Sequence, residues 1–544
     1  MSNATNNLYK SVVPTKNATT PQSQPIPGRE AEMVSNYAGG VVFKLDKWKV
    51  LDRFLILGTE KASYYASAQK LTKDAASNVL ALIAKDPVAI VKRVIEISDA
   101  GRAPKNDSAI FVLALVASSP NPIAREKAFE ALPKVCRTGT HLFQFVDLYH
   151  AMGKWNAAAK RGISNWYNSK EVSKLAYGML KYQQRNGWSH RDVLRLAHVK
   201  PHRAELTALY GWVTAKDNEV KFAKMLEAPK IIEWYVALHK DRSKTVALEA
   251  IREFNMSHEM MPTELLKDPD IWEALLPGMG YTALLRNLGR MSSIGMVKPL
   301  SKSLKAIVEK LSDVEALKRG RVHPITVLNA LKTYSQGHGD KGSLTWTVAP
   351  QIVSVLNKMF YEAFNFIEPT GKNFLIGIDC SGSMWGAKVN GLNNLCAAEV
   401  AAVTALAIAK REHNYHIVGF DTSVSPLSIS PDMTLEQVLN TMRKFKWGGT
   451  DCAQPMIYAT KHKLDVDCFI TITDNETWAG KIHPTQALRD FRKVMNKPNA
   501  CNAVLGTSAT NFTVADPKDP RQIDIVGFDS AVPQLIAEFV NGTL

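Results

Sequence analysis

Cysteine is scarce in this chain of 544 residues: Cys136, Cys380, Cys396, Cys452, Cys468 and Cys501, with no C-x-x-C pair among them. Such scatter argues against a disulfide framework or a structural zinc site and predicts a reducing compartment, the cytoplasm. Long apolar runs are missing too. The longest, Ala109 to Ala117, falls far short of the roughly 20 residues that a membrane span needs. The first ten residues are polar and lack the apolar stretch of a secretory signal. Neither G-x-x-x-x-G-K-[ST] nor H-E-x-x-H occurs, which removes the usual nucleotide-phosphate loop and the zinc-protease helix. His413, His416, His462 and His483 fit no ligand spacing.

Acidic residues are short in one part of the chain only. From Gly371 to the end there are 16 Lys and Arg against 17 Asp and Glu, whereas the first 370 residues carry 51 against 34. All of the net +16 therefore resides in the first two-thirds. A field of that sign attracts phosphate polyanions, of which nucleic acid is the commonest.

Residues 1–29 are rich in Asn, Thr, Ser, Pro and Gln without periodicity, which predicts a disordered tail. From about Trp48 to Tyr361 one amphipathic segment follows another. Leu71–Ala84, Pro87–Asp99, Ser108–Ala117, Ile123–Leu132, His141–Met152, Ala157–Trp166 and Val172–Gln184 repeat apolar residues at helical spacing. Short Gly, Pro and Asn breaks separate them, and strand-like alternation is nearly absent. Residues 30–366 are thus expected to form an all-α, HEAT-like helical-repeat body. Near Pro369 the texture changes. Expected strands at Phe374–Asp379, His416–Asp421, Asp467–Asp474, Ala500–Gly506 and Ile523–Phe528 alternate with expected helices at Leu392–Arg411, Leu435–Phe445 and Pro484–Val494. Residues 367–544 therefore read as a second, doubly wound α/β domain.

Three pieces of that domain should converge where strand ends meet: Asp379-Cys380-Ser381-Gly382-Ser383, Gly448-Gly449-Thr450-Asp451 and Asp474. Two carboxylates and three hydroxyls offer hard oxygen ligands at modest charge, which suits Mg²⁺ or Mn²⁺. The D-x-S-x-S motif with its later Thr and Asp resembles the metal-ion-dependent adhesion site (MIDAS) of von Willebrand factor A domains. That resemblance implies Ser381, Ser383 and Thr450 as direct ligands, with Asp379 and Asp474 acting mainly through water. Cys380 and Cys452 flank the motif with no base beside them in sequence and are expected to pack as small hydrophobes.

In the helical body, Asn36-Tyr-Ala-Gly-Gly40, Arg53–Gly58 with Tyr64-Tyr65, Cys136-Arg-Thr-Gly-Thr-His141, Lys181–His190 and Leu194–His198 are distinctive, as are Leu284–Gly289, Arg319–Pro324 and Gly337-His-Gly339. Together with the A-type domain they resemble the Ro autoantigen family, whose helical part is the TROVE domain. The resemblance implies a closed ring of HEAT-like helices. It also implies small noncoding Y RNA on the outer rim, single-stranded 3′ ends of misfolded RNA in the central hole, and a role in RNA quality control. An exoribonuclease tethered through the RNA and a monomeric state are implied as well. By the same match Lys181, Arg185 and His198 would contact the RNA stem, with Lys181 and Arg185 four apart on one helix face. Arg137, His141, Arg286 and Arg321 are candidates for the hole, each of them equally suited to a structural cap or ion pair. Trp166 and Tyr167 are assigned to the core. Competing expectations are a metal-dependent phosphoester hydrolase acting through Asp379, and a protein-binding adhesion-type scaffold.

Overall fold

The computed structural model describes residues 19–58, 68–153, 155–215, 228–339, 342–363, 369–387, 396–444, 448–529 and 531–543. Tyr64, Tyr65 and the expected helix start at Leu392 lie outside them.

Strong N-terminal signals set the helices of the body. Asp86, Asn121, Asn156, Ser243, Ser301 and Asp313 each accept N–H bonds from the first turn that follows, worth about 1 kcal/mol apiece. Pro87–Asp99 packs on Pro122–Val135, and Asp107–Ala117 on Gly139–Ala151, in the stacked order of a helical repeat. Asp107–Ala117, the longest apolar run, is buried almost all round, as a helix without a polar face must be. Trp166 and Tyr167 are buried as expected.

The repeat closes on itself. The loop after Pro87–Asp99 meets the late helices, where Arg321 pairs with Asp99 at 2.8 Å. Pro104 and Lys105 share a cavity wall with residues between His258 and Trp346. Arg102 extends from this seam to Asp529 at 3.1 Å and to the Val526 carbonyl at 3.0 Å, which ties the closure to the C-terminal domain.

The short strands β1 (Met33–Ser35) and β2 (Val41–Lys44) pair antiparallel near the start of the chain. Two more, β3 (Gln184–Arg185) and β4 (Trp188–Ser189), form a hairpin. Its turn residues Asn186 and Gly187 have φ of 52° and 78°, the paired positive angles of a two-residue hairpin turn.

The C-terminal sheet is built from β5 (Asn373–Asp379), β6 (Asn414–Phe420), β7 (Val424–Pro426), β8 (Cys468–Thr473), β9 (Cys501–Gly506) and β11 (Gln522–Val526). Its spatial order is β11-β9-β8-β5-β6-β7, parallel except for the edge strand β7. The remaining strand, β10 (Phe512–Thr513), pairs instead with β2. β8 and β9 are buried at every position, as parallel strands covered on both faces are, with the Thr471 hydroxyl donating across the sheet to Asn502 Oδ1 at 2.9 Å. Ala397–Ala409, buried at every position, covers the face towards the body, so one hydrophobic core runs through both domains. Leu375, Met456, Phe469 and Phe491 form a separate core on the other face.

The expected free tail is corrected from residue 19 onwards, while residues 1–18 lie outside the described chain. The Thr20 amide donates to Gln486 at 3.1 Å, and the Gln22 amide nitrogen donates to Asp451 at 2.7 Å and to the Ile482 carbonyl at 2.8 Å. Arg29 makes a two-pronged pair with Asp516. Polar composition alone suggests disorder, but these side chains find buried partners on the distant domain.

Three histidines carry a consequence for stability. Burial pushes His190 down to about 3, and His141 and His323 down to about 4. The unfolded chain, with His near 6.5, binds these protons more readily. The stabilisation is therefore complete above pH 6.5 and is lost as pH falls through 4. Because the buried carboxylates of the C-terminal domain titrate in the opposite sense, the measurement is the difference from a His190→Gln variant. The wild type's advantage in thermal midpoint should shrink between pH 7.5 and 4.5, and a constant difference would contradict a buried neutral imidazole.

Candidate metal centre and nucleic-acid interface

After β5, which lies between β6 and β8, the chain builds first to one side and then to the other. The topological switch point therefore lies between β5 and β8, where a doubly wound sheet opens a crevice. Asp379 ends β5 and Asp474 follows β8 directly, so the two carboxylates flank that crevice. Ser381 ends the turn leaving β5, Ser383 lies in the first turn of the short Gly382–Gly386 helix that follows, and Thr450 precedes the Gln454–Lys461 helix. All five are buried.

Their mutual geometry is close. The Ser381 amide donates to Asp379 Oδ1 at 2.9 Å, and the Ser381 and Ser383 hydroxyls lie 3.0 Å apart. The Thr473 hydroxyl donates to Asp379 Oδ2 at 2.6 Å, and the Glu476 amide to Asp474 Oδ1 at 3.0 Å. Burial, and then the Asp474 charge, pushes Asp379 up to about 7. Asp474 is raised chiefly by burial. The Thr450 hydroxyl is buried with no hydrogen-bond partner among the described residues. Two buried carboxylates and an orphaned hydroxyl at one crevice fit a hard divalent cation, which would relieve both costs. Among the described residues no cluster of three or more His, Cys, Asp and Glu comes together, so a cation here would rest on hydroxyls as well. Cys380 and Cys452 are buried beside the loops.

Sequence reasoning missed the groups that brace these loops. The Thr477 hydroxyl donates to Gln22 Oε1, and Asn36 Nδ2 donates to the Thr477 carbonyl at 2.7 Å. Glu476 accepts from the Tyr37 and Ala38 amides at 3.0 and 3.1 Å. Burial and then Asp474 push its carboxyl up to about 8. Gly40 allows the contact, because a Cβ there would lie 1.8 Å from the Thr477 carbonyl oxygen. Gly449 plays the same part for Trp478, whose ring would meet a Cβ at 2.6 Å. The repeated glycines were visible in sequence, but their partners were not.

The RNA candidates separate into four places. Lys181 ends the Val172–Lys181 helix and Arg185 belongs to β3, so the expected shared helix face does not form. The Asn186-Gly187 turn draws the chain into a hairpin before another helical turn can be made. Lys181 lies near His258, which burial holds below its ordinary value and to which the Lys181 charge adds in the same direction. His198, in the left-handed conformation that ends His190–Ala197, lines a groove of about 910 Å³ with Arg125, Lys160, Arg161, Asn165 and Lys200. Glu126 and Glu130 also border that groove. Arg137 donates to Ser98 Oγ at 3.1 Å and to the Lys134 carbonyl at 3.1 Å. Arg321 is paired with Asp99, and the imidazole of His141 is buried. These three therefore cluster at the ring seam. Arg286 lines a different cavity, between the late helices and Lys105.

The molecule is a closed helical-repeat ring joined to an A-type domain with a hydroxyl-rich crevice. Residues 34–256 and 253–332 match the TROVE domain, and residues 373–540 match the Ro60 vWA domain. The RNA-binding protein RO60 of Deinococcus radiodurans is 36% identical over 538 residues, covering 98% of this chain and 99% of that one. The RNA-binding protein RO60 of Caenorhabditis elegans is 34% identical, covering 94% and 90%. The crystal structure of the Deinococcus radiodurans RO (RSR) protein superposes with a TM-score of 0.68, covering 92% of this chain and all of that one. The chain belongs to the Ro60 family. Among the described residues no helix is long and apolar enough to cross a membrane.

Proposed function

We propose that this protein is an RNA-binding ring of the cytoplasm, monomeric and non-catalytic. It takes a small structured RNA of the Y type on its outer surface and single-stranded 3′ ends of misfolded RNA within the ring. Its place would be in RNA quality control, with an exoribonuclease brought near through the bound RNA. A divalent cation, Mg²⁺ or Mn²⁺, would occupy the crevice of the A-type domain on Ser381, Ser383 and Thr450, with Asp379 and Asp474 supporting it through water. The observation that carries the reading is the groove bordered by Arg125, Lys160, Arg161, His198 and Lys200. It lies on the part of the chain that holds the entire positive excess. The names of the relatives support the same class of ligand. Lys181 and Arg185 would add contacts around the β3–β4 hairpin.

Lys160→Ala/Arg161→Ala/His198→Ala is expected to weaken binding of a structured small RNA by roughly 2–4 kcal/mol, two or three charge-assisted phosphate contacts. The slope of log affinity against log salt should become shallower by about 0.7–0.9 per lost contact. Gel shifts across a salt series provide both numbers. Unchanged affinity with an unchanged slope would return the groove to an ordinary solvated surface.

A further inference from the structure

The cavity that holds Arg286 has a composition that general attraction for phosphate does not explain. It measures about 510 Å³, within the roughly 300–1,000 Å³ of small-ligand sites. One wall is the Tyr281–Ser293 helix, which presents Arg286 and Arg290 four residues apart and hence on one side. Neither guanidinium has a hydrogen bond or ion pair among the described residues. The facing wall is the Pro324–Ser335 helix, which presents Asn329 and Thr333, again four apart. Asn329 Oδ1 and Thr333 Oγ1 are shielded from water and have no partner among the described residues. Each such orphan has given up its water without a replacement, a cost that an incoming hydrogen-bonding ligand would remove.

The remaining walls are aromatic. Tyr334 and Trp346 stack at 6.0 Å between centroids with 21° between planes, and His258 stacks on Trp272 at 5.7 Å and 29°. Gly289 is what lets Trp346 lie against the first helix, since a Cβ there would meet the indole at 2.6 Å. Cations on one side, unsatisfied amide and hydroxyl groups on the other and aromatic faces between them match an anionic ligand with a flat, polar-edged ring. An asparagine amide sets one donor beside one acceptor, the pattern that pairs with adenine.

We propose that this cavity binds a single adenine nucleotide, its phosphate on Arg286 and Arg290 and its base edge on Asn329. The inference deepens the RNA-binding reading where the nucleotide belongs to a strand, and stands apart from it where the nucleotide is free. Calorimetry on the full chain with AMP and UMP tests the site directly. AMP should bind about fivefold or more tightly than UMP. Asn329→Ala should remove the preference, and Arg286→Ala, at an exposed position, should weaken both nucleotides. Equal binding of AMP and UMP to the wild type, or binding of neither, overturns the proposal. An unaltered AMP affinity in both variants also overturns it.

Fluorescence anisotropy with single-stranded U6, U5A and U2AU3 then identifies the source. A matching gain for an adenine-containing hexamer assigns the site to RNA, and three equal hexamers assign it to the free nucleotide. The hairpin gel shift on the outer groove reads the RNA-binding proposal separately, so either can fail alone.

Discussion

Arg53→Ala should lower the unfolding free energy by about 3–5 kcal/mol, the loss expected when one partner of a buried ion pair is removed. Arg53 leaves the Lys47–Leu57 helix and enters the C-terminal domain, where its side chain is 0% exposed and that of Asp524 is 4% exposed. The guanidinium pairs with Asp524 and donates to Thr510 Oγ1 at 2.9 Å and to the Ser508 carbonyl at 3.3 Å. Asp524 also accepts from the Thr513 hydroxyl at 2.7 Å. Alanine would leave a buried carboxylate with one hydroxyl for company and remove the bridge between the first helix and the last strand. Denaturant unfolding of Arg53→Ala, Asp524→Leu and the pair Arg53→Met/Asp524→Leu forms the measurement. The double apolar variant should recover most of the loss, because two matched apolar groups leave no charge stranded. A loss below about 1 kcal/mol for Arg53→Ala would show that water reaches the pair.

Asp379→Ala should reduce Mn²⁺ affinity by about 10–100-fold or more, the range for removing a group that orients metal ligands. The neighbouring Ser383→Ala removes a hydroxyl that lies 3.0 Å from Ser381 and should act in the same direction. Binding of a structured RNA should remain within about twofold, because the positive excess lies on the other domain and the sites share no described contact. Titration calorimetry with Mn²⁺ and a gel shift on each folded variant read the two effects separately. Retained metal affinity in Asp379→Ala would exclude that carboxylate from the ion's surroundings. A large loss of RNA affinity would instead couple the crevice to the ring.

Local signals carried much of this architecture. The Pro484–Val494 helix begins and ends where its Pro and its apolar spacing place it, and β5 lies within one residue of the run Phe374–Asp379. The five metal-motif residues converge because each follows a strand or precedes a helix of one sheet, a relation that topology alone enforces. What failed was what depends on distant partners. Gln22 and Thr20 look like linker residues until Asp451 and Gln486 are placed beside them, and the distinctive Asn36 gives no hint in sequence of its partner Thr477. The Lys181–Arg185 spacing suits a helix face, and the Asn-Gly pair that follows reads in sequence only as a break. Its two left-handed residues instead reverse the chain, placing Arg185 on a strand. Arg137 and Arg321 were ambiguous for a plain reason: a basic residue that caps a loop and one that meets a phosphate have the same sequence.

The pairing of β2 with β10 joins Phe43 to Thr513 and Lys44 to Phe512, and Arg53 depends on Asp524 in the same way. On a ribosome adding about 5–20 residues per second, the first strands would emerge roughly 25–90 s before their partners. Throughout that interval the β1–β2 ribbon would present an unpaired edge, and Arg53 a charge without its acid. Completion of the fold is thus set by the arrival of the segment from β10 to β11. A nascent polypeptide stalled short of β10 would expose an adhesive edge to other strands, so translational pausing ahead of that point is where this protein would be most prone to aggregate.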